Sequence, residues 1–440
     1  MTTGVKRVLE QLFPPQHYAA RVRYRPPQAW YRRLNHLVGV PLTTWGLAPR
    51  DAVTLEVRGR TSGRTRRTPV LLTEHRGATY LVSLAGESQW VRNVRAASGE
   101  AVLRQRGARR VRLREVPVHE RADVLAAYVA AARRRSGPDV ADRATRDYFG
   151  LEHPTLSQLD AVAERYPVLQ VLDHHEVAPH VFQLGPWGRT QTNAYAVRTE
   201  TGWVLVDTGW SSDATRIRAA ARGLFGDVPA GAILLTHAHP DHSGAAAELA
   251  RGWGCPVHLH PAELPIATGD LSAMRRVAAP LDRWVVLPLL RVVGRRRRDR
   301  ILATGSLTGL ARVLKPGGPV PGLPDWECVP TPGHTPGHVS YFRPADGVLV
   351  SGDALVTMRL NSLFGLLGGR PGLSGPPWYT TWDRAVARAS IERLADLEPA
   401  VLASGHGMPL AGPGIARRVR AFARSGSTAA NLPSAGRGGA

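Results

Sequence analysis

Residues 236–242 read THAHPDH and constrain the fold of this 440-residue chain more than any other segment. They place four metal-binding side chains within six residues, directly after the apolar run 231–235, which we expect to be a buried strand. Open α/β sheets bind their ligands at the carboxyl ends of strands. A spacing of His-x-His-x-Asp-His also lets these side chains converge on two neighbouring cations. The segment therefore predicts a metal centre at the end of a strand.

Further donors lie in four other segments, each at the end of an apolar run or in a glycine-rich turn. These segments read VLVDTG with Asp207, PGHTPGH with His334 and His338, LVSGD with Asp353, and ASGHG with His406. Histidine is also common in turns and the chain has 16 histidines, so a purely structural role for residues 236–242 is the alternative. The presence of all five segments in this order favours a metal site over that alternative.

These motifs together resemble those of the metallo-β-lactamase superfamily over about residues 179–424. The resemblance implies an αββα sandwich that holds two divalent cations. It implies that one cation is bound by His237, His239 and His334. It implies that the other is bound by Asp241, His242 and His406, with Asp353 bridging the two.

Asp207 and His338 have a different expected role. In the superfamily pattern Asp207 is not a ligand but a carboxylate that orients the ligands, which fixes histidine tautomers and ring angles. His338 is expected to act in the same way or to be structural.

The two cysteines, Cys255 and Cys328, fall outside the ligand pattern. Donors of nitrogen and oxygen without thiolate suit zinc, and they suit iron and manganese too.

The chemistry expected from such a site is hydrolysis. Two divalent cations roughly 3.5–4 Å apart share a water, lower its pKa and hold it as hydroxide, which attacks the substrate. Asp241, as a donor to one cation, is expected to be essential for catalysis.

Single residues separate the branches of the superfamily that this chain resembles. His239 stands where the diiron reductases carry Glu, which argues against electron transfer at the metals. The β-lactamases often place Cys in the second site, whereas this chain offers Asp353. The pattern is most similar to glyoxalase II and lactonase-type enzymes, which implies an ester, thioester or lactone as the substrate.

A formal net charge of +22 leaves a phosphodiesterase or nuclease as an alternative, since such a charge suits a phosphate-rich partner. Only Lys6 and Lys315 are lysines, so arginine carries almost all of the basic charge. That bias is typical of high-GC coding, and no strand-tracking insertion is visible in the sequence. We therefore expect a small-molecule substrate and no nucleic-acid partner.

Residues 295–300 read RRRRDR and follow the apolar stretch 284–294. These 11 apolar-rich residues are too few to cross a bilayer, which needs about 20. Three interpretations remain open: a cap over the mouth of the active site, a peripheral contact with a membrane surface, or a solvated helix face.

The first 170 residues lack the histidine cluster and alternate short apolar runs with turn residues. The runs predict the strands of an antiparallel barrel, at residues 53–58, 69–74, 78–84, 101–105 and 109–116. Residues 121–135 follow with apolar side chains at helical spacing and predict a helix.

Two segments of this half carry a motif. Residues 58–70 read RGRTSGRTRRTPV, a turn whose N–H and guanidinium groups suit a phosphate, and residues 89–93 read QWVRN. Together they resemble the deazaflavin-dependent nitroreductase family over about residues 36–162. That resemblance implies a split β-barrel oxidoreductase that binds 8-hydroxy-5-deazaflavin and orients it for hydride transfer. It implies that the anionic tail of the cofactor is held by Arg60, Ser62, Gly63 and Arg66, and that the ring lies beside Trp90 and Asn93.

The N-terminal half also departs from this family. Members usually have Lys where Thr61 stands, and residues 85–89 read AGESQ in place of a Gly-Gly turn with a proline. The split-barrel superfamily also includes flavin and haem binders. A non-catalytic ligand-binding module is therefore the alternative for this half.

The chain is long enough for two folded domains with flanking segments. The expected division is a helical extension over residues 1–35, the split β-barrel (α+β) over 36–172, the metallo-β-lactamase sandwich over 173–424 and a disordered tail over 425–440. Two cysteines are too few for a disulfide framework, which favours a reducing compartment. The first residues show no signal-peptide pattern, and we expect a cytoplasmic protein.

Overall fold

The chain folds into two compact units, Met1–Leu172 and Asp173–Ala440. The computed structural model describes residues 33–49, 51–105, 107–137, 139, 142, 145–146, 149–172, 174–292, 305–362, 365–366 and 369–425. Residues 1–32 of the expected extension, the basic run 295–300 and residues 426–440 of the expected tail lie outside the described residues. None of the helices in the described part of the chain is long and apolar enough to cross a bilayer.

The first unit contains a closed, fully antiparallel barrel of six strands in the order β1-β2-β3-β6-β5-β4. Its strands are β1 (Ala52–Arg58), β2 (Thr65–His75), β3 (Ala78–Val82), β4 (Glu100–Gln105), β5 (Gly107–Glu115) and β6 (Val168–Leu172). Its helices are α1 (Val40–Thr44), α2 (Gln89–Ala96), α3 (Arg121–Ser136) and α4 (Leu156–Val162). The predicted split-barrel class is thus confirmed, with β6 as an added strand that pairs with β3 and β5.

Strand β1 is buried on both faces because both faces have partners. Val53, Leu55 and Val57 point into the barrel core. On the other face, Thr54 Oγ1 lies 2.6 Å from Thr43 Oγ1, and the Glu56 carboxylate accepts from Arg67 Nε at 2.7 Å. These bonds satisfy polar groups that burial would otherwise make costly.

The second unit is built on two large β-sheets and a small one. The first sheet has the order β13-β12-β11-β10-β9-β8-β7. Its strands are β7 (His174–Ala178), β8 (Val181–Trp187), β9 (Thr192–Arg198), β10 (Trp203–Val206), β11 (Ala232–Leu234), β12 (Val257–Leu259) and β13 (Ala311–Val313). Strands β10 to β13 run parallel, and the remaining pairs are antiparallel.

The second sheet has the order β14-β15-β16-β17-β20-β21, in which β17 and β20 are parallel. Its strands are β14 (Pro319–Val320), β15 (Leu323–Pro330), β16 (Val339–Arg343), β17 (Val348–Gly352), β20 (Val401–Ser404) and β21 (Leu410–Ala411). The small sheet pairs β18 (Val356–Met358) with β19 (Pro371–Ser374).

The described part of the second unit also contains eight α-helices. They are α5 (Ala214–Phe225), α6 (Pro240–Ser243), α7 (Ala246–Trp253), α8 (Leu264–Ala267), α9 (Leu271–Arg276), α10 (Leu287–Val292), α11 (Arg384–Asp396) and α12 (Ile415–Ser425). A one-turn π-helix, Asp282–Val286, precedes α10. Trp284, Leu289 and Val292 of this helical stretch are exposed, which leaves the three interpretations of that segment open.

The alternation of side chains along β10 explains the layer order. Val204 and Val206 pack between the two sheets, together with residues of β15, β16 and β17. Trp203 and Leu205 point to the opposite face and pack against α5 and α7. Because successive side chains of a strand point to opposite faces, one strand contributes to both layers of the core. The unit is therefore the predicted αββα sandwich, with α11 and α12 covering the second sheet.

Candidate metal centre

Four of the segments that carry the candidate site residues follow the ends of buried strands. Asp207 comes directly after β10, and the THAHPDH segment runs from the end of β11 into α6. Asp353 follows β17, and His406 lies two residues after β20. Since β10 and β11 are parallel neighbours, as are β17 and β20, these ends lie together along one edge of the sandwich.

The first donor group contains His237, His239 and His334. The Nε2 atom of His237 lies 3.1 Å from Nδ1 of His239, which in turn lies 2.9 Å from Nε2 of His334. His237 and His334 are buried. Three ring nitrogens thus converge on one point, and residues from two distant loops supply them.

The second donor group contains Asp241, His242 and His406. The Nε2 atoms of the two histidines lie 3.4 Å apart. Asp241 Oδ2 lies 3.4 Å from His406 Nε2 and 4.0 Å from His242 Nε2. Asp241 keeps about a fifth of its side chain exposed, so this group faces solvent on the Asp241 side.

Asp353 lies between the two donor groups. Its Oδ2 atom is 3.4 Å from His334 Nε2 and 3.2 Å from His406 Nε2. Its buried Oδ1 atom is 3.3 Å from His242 Nε2 and forms no hydrogen bond with the part of the chain that the structure describes. A carboxylate with oxygens directed to both groups has the geometry expected of a bridging ligand.

The spacing of these donors fits a metal ion. Two ring nitrogens with lone pairs facing each other at hydrogen-bond distance need a proton or a cation between them. Zn–N bonds of about 2.0–2.1 Å in a tetrahedral site place two ligand nitrogens about 3.3 Å apart. The distances within the first group, 3.1 and 2.9 Å, and between His242 and His406, 3.4 Å, are close to that value.

The opposite ring nitrogens are held by the protein. His242 Nδ1 lies 2.8 Å from Asp207 Oδ2, and His406 Nδ1 lies 2.9 Å from the carbonyl oxygen of Thr190. These acceptors keep the proton on Nδ1 and direct the Nε2 lone pair inwards.

Asp207 also accepts from the backbone N–H and the hydroxyl of Thr236, each at 2.8 Å. Its φ of 58° is unusual for a residue other than glycine, and such strain persists where surrounding contacts hold it. Asp207 thus contacts a donor histidine and the start of the THAHPDH segment at once.

His338 has both ring nitrogens engaged within the protein. Its Nε2 accepts from the backbone N–H of Asp353 at 3.1 Å, and its Nδ1 lies 2.8 Å from Thr331 Oγ1. Burial lowers the pKa of His338 to about 3, so the ring is neutral. No lone pair is left for a cation, and the ring instead positions the backbone of Asp353.

In the first unit, the structure joins the two segments of the predicted cofactor site. Arg60 donates from Nη1 to Asn93 Oδ1 at 3.0 Å and from its backbone N–H at 3.3 Å. Arg66 Nη2 lies 3.4 Å from Ser62 Oγ, and Gly63 has a φ of 64°, which closes the turn. Trp90 is partly buried and packs against the barrel core.

Comparison with known protein families gives one match in each unit. Residues 187–406 match the model of the metallo-beta-lactamase superfamily. The chain belongs to the metallo-β-lactamase superfamily. Residues 23–146 match the model of F(420)H(2)-dependent quinone reductase, whose name refers to the reduced deazaflavin coenzyme. The predicted order, a deazaflavin-dependent reductase relative followed by a metallo-β-lactamase enzyme, is confirmed.

Individual relatives cover parts of the chain. The Probable metallo-hydrolase YflN of Bacillus subtilis is 38% identical over 213 residues, which are 48% of this chain and 77% of that protein. A hydroxyacylglutathione hydrolase of Rhodopseudomonas palustris is 31% identical over 132 residues, 30% of this chain and 36% of that protein. The solved structure of TTHA1623 in a di-iron-bound form is 28% identical, with a TM-score of 0.34, and the match covers 54% of this chain and 97% of that one.

The charges of this metallo-β-lactamase site are balanced within a buried cluster. Burial alone would lower the pKa of His242, but the carboxylates of Asp353, Asp207 and Asp241 outweigh it and raise that pKa well above its ordinary value. Burial would likewise raise the pKa of Asp353, but His406 and His242 hold it well below its ordinary value. By contrast, burial and the surrounding rings lower the pKa of His237. The carboxylates therefore favour positive charge at the centre, which a divalent cation would supply.

Three contributors to the site carry no motif in the sequence. Asn193 donates from Nδ2 to the carbonyl oxygens of Ser404 and Gly407, at 2.9 and 2.7 Å, and so fixes the loop of His406. Glu263 contacts the loops of the first donor group. Tyr379 has a pKa raised by burial and further by the charges of Asp353 and Asp241. A single sequence shows no spacing that links these residues to the donors.

We predict that Gly405→Ala disrupts the centre without unfolding the chain. A Cβ atom at Gly405 would collide with Asp353 Oδ1 and lie 2.7 Å from His242 Cε1, so both side chains must move. Gly252→Ala is the matched control, because neither glycine has a positive φ and the Cβ of the control would meet open space. Metal content measured by mass spectrometry should fall well below two ions per chain in Gly405→Ala only. Full metal content in that variant would contradict the packing described here.

Proposed function

We propose that the C-terminal unit hydrolyses a carboxylic ester, thioester or lactone at a centre of two divalent cations. The observation that carries the proposal is the pair of donor groups with Asp353 directed to both. Bound divalent cations supply Lewis acidity and lower the pKa of water at such a site. The all-nitrogen and oxygen donor set supports zinc, with iron or manganese as the other metals that it suits.

The chain's own residues prepare this site in advance. The histidines of the first group would hold one cation and those of the second group the other, while the partly exposed Asp241 borders the solvent. Because the outward nitrogens are already bonded to Asp207 and Thr190, little reorganisation is required during reaction.

The segment from Trp378 to Trp382 supplies groups for the substrate. The backbone N–H of Trp382 donates to the carbonyl oxygen of His334 at 3.0 Å, which holds this segment against the first donor group. Trp378 and Trp382 are largely exposed aromatic residues. Burial and the charges of Asp353 and Asp241 raise the pKa of Tyr379, so its hydroxyl is a neutral donor suited to a carbonyl oxygen of the substrate.

An acyl substrate is supported over a phosphodiester by the name of one relative. The hydroxyacylglutathione hydrolase relative is named for a thioester substrate, although the match spans only 36% of that protein. His239 in the first group supports hydrolysis rather than electron transfer, as the sequence pattern indicates.

Asp241→Asn should abolish hydrolysis, because the amide keeps the shape but loses the charge that the second donor group contributes. We expect kcat/KM to fall by more than about a hundredfold, because Asp241 is a proposed ligand and even the partners that only orient ligands contribute about 10- to 100-fold. The measurement uses an S-acylglutathione, an aryl ester and a lactone beside bis-p-nitrophenyl phosphate. Asp227→Asn, at an exposed surface ion pair, is the control. Activity on the phosphodiester alone, or full activity of Asp241→Asn, would sink the proposal.

We further propose that the N-terminal unit binds the 8-hydroxy-5-deazaflavin coenzyme as an oxidoreductase. The match to F(420)H(2)-dependent quinone reductase and the arginine-rich turn beside α2 support this proposal. Arg60 uses part of its guanidinium on Asn93, and its remaining N–H groups are suited to an anionic tail.

Fluorescence titration of the full-length protein with the coenzyme should show saturable binding that Arg60→Ala or Arg66→Ala weakens. Loss of one charge-assisted contact costs about 1.5–3 kcal/mol, or roughly ten- to a hundredfold in Kd. Arg134→Ala, at an exposed position on α3, should bind like the wild type. Absence of binding to the unaltered protein would contradict the cofactor assignment and favour a non-catalytic module.

A further inference from the structure

Glu263 is a fully buried carboxylate outside the donor groups. It lies in the one-turn 3₁₀ helix Pro261–Glu263, which follows the end of β12, the strand next to β11. We propose that Glu263 is a positioning residue that clamps together the two loops of the first donor group. The proposal rests on the ligand set proposed above.

The two oxygens of this carboxylate bond to different loops. Oε2 accepts the backbone N–H of Ala238 at 2.9 Å. Oε1 accepts the backbone N–H of Gly337 at 2.8 Å. Ala238 lies between His237 and His239 in the chain, and Gly337 lies three residues after His334. One side chain therefore links the backbone between His237 and His239 to the loop that carries His334.

The approach of the two loops depends on a residue without a side chain. A Cβ atom at Gly337 would lie 2.8 Å from Glu263 Cγ and 2.8 Å from His260 Nδ1, closer than packed atoms allow. No positive φ applies at Gly337, so the restriction is one of space rather than of backbone conformation. Glycine at 337 lets the N–H reach the carboxylate.

The clamp is specific to one donor group among the described residues. The ring of His242 is held by Asp207, and the ring of His406 is held by the Thr190 carbonyl. Neither contact involves Glu263. Loosening Glu263 is therefore expected to separate the histidines of the first group and leave the second group in place.

A carboxylate suits this role because it accepts at both oxygens. In Glu263→Gln the amide offers one acceptor and one donor group, so one of the two backbone N–H groups faces another donor. Partners that orient metal ligands typically contribute about 10- to 100-fold in metal affinity. The isosteric variant therefore tests the clamp without a change in volume.

The experiment measures Zn²⁺ binding to metal-free, full-length protein against a chromophoric chelator. A His406→Ala background isolates the first donor group, and a His239→Ala background isolates the second. Glu263→Gln should weaken Zn²⁺ binding about 10- to 100-fold in the first background and less than twofold in the second. Glu248→Gln, at an exposed ion pair with Arg218, should change neither.

Gly337→Ala provides an independent variant, which keeps the clamp testable if Glu263→Gln fails to fold. Gly337→Ala should weaken Zn²⁺ binding in the His406→Ala background only. The double variant Glu263→Gln with Gly337→Ala should bind Zn²⁺ no more weakly than the weaker single variant, because both changes remove the same interaction. Equal weakening of Zn²⁺ binding in both backgrounds would overturn the clamp and indicate a general structural role for Glu263. Unchanged Zn²⁺ affinity in the first background would also overturn it. If the unaltered protein binds no Zn²⁺, the ligand set and the clamp both fail.

Discussion

The convergence of histidine nitrogens and the buried Asp353 carboxylate on one centre is the interaction on which the rest of the catalytic unit depends. Such an arrangement is unfavourable in a protein interior unless positive charge lies between the donors. The carboxylates of Asp353, Asp207 and Asp241 raise the pKa of His242, so they favour positive charge at this position. A site that favours positive charge in this way is prepared to bind divalent cations.

The sandwich delivers these donors through strands that are buried on both faces. Strands β10 and β17 place apolar side chains alternately in two core layers. This packing fixes the positions of Asp207 and Asp353, which follow directly after the two strands. The outer ring nitrogens then find acceptors in the protein, such as Asp207 and the carbonyl of Thr190. The positions of the donor atoms thus depend on core packing and on the hydrogen bonds that hold the outer nitrogens of the donor histidines.

The local parts of this architecture are predictable from the sequence, and the long-range parts are not. Apolar runs that end in Asp207 or Asp353 predict strands and strand-end donors, and the THAHPDH spacing predicts which side chains lie together. Asn193 and Glu263 act on loops that are distant in the sequence, so no local pattern marks them. Strand β6 is absent from the predicted strands for a related reason, since its five residues form a strand only by closing the barrel between β3 and β5.

The most direct test of the account is a crystal structure of the metal-loaded protein with anomalous scattering data. We expect two peaks roughly 3.5–4 Å apart. One peak should lie about 2.0–2.2 Å from the nitrogens of His237, His239 and His334, and the other at a similar distance from the donors of Asp241, His242 and His406. Asp353 should contact both peaks. A single peak, or cations bound elsewhere in the chain, would contradict the dinuclear centre.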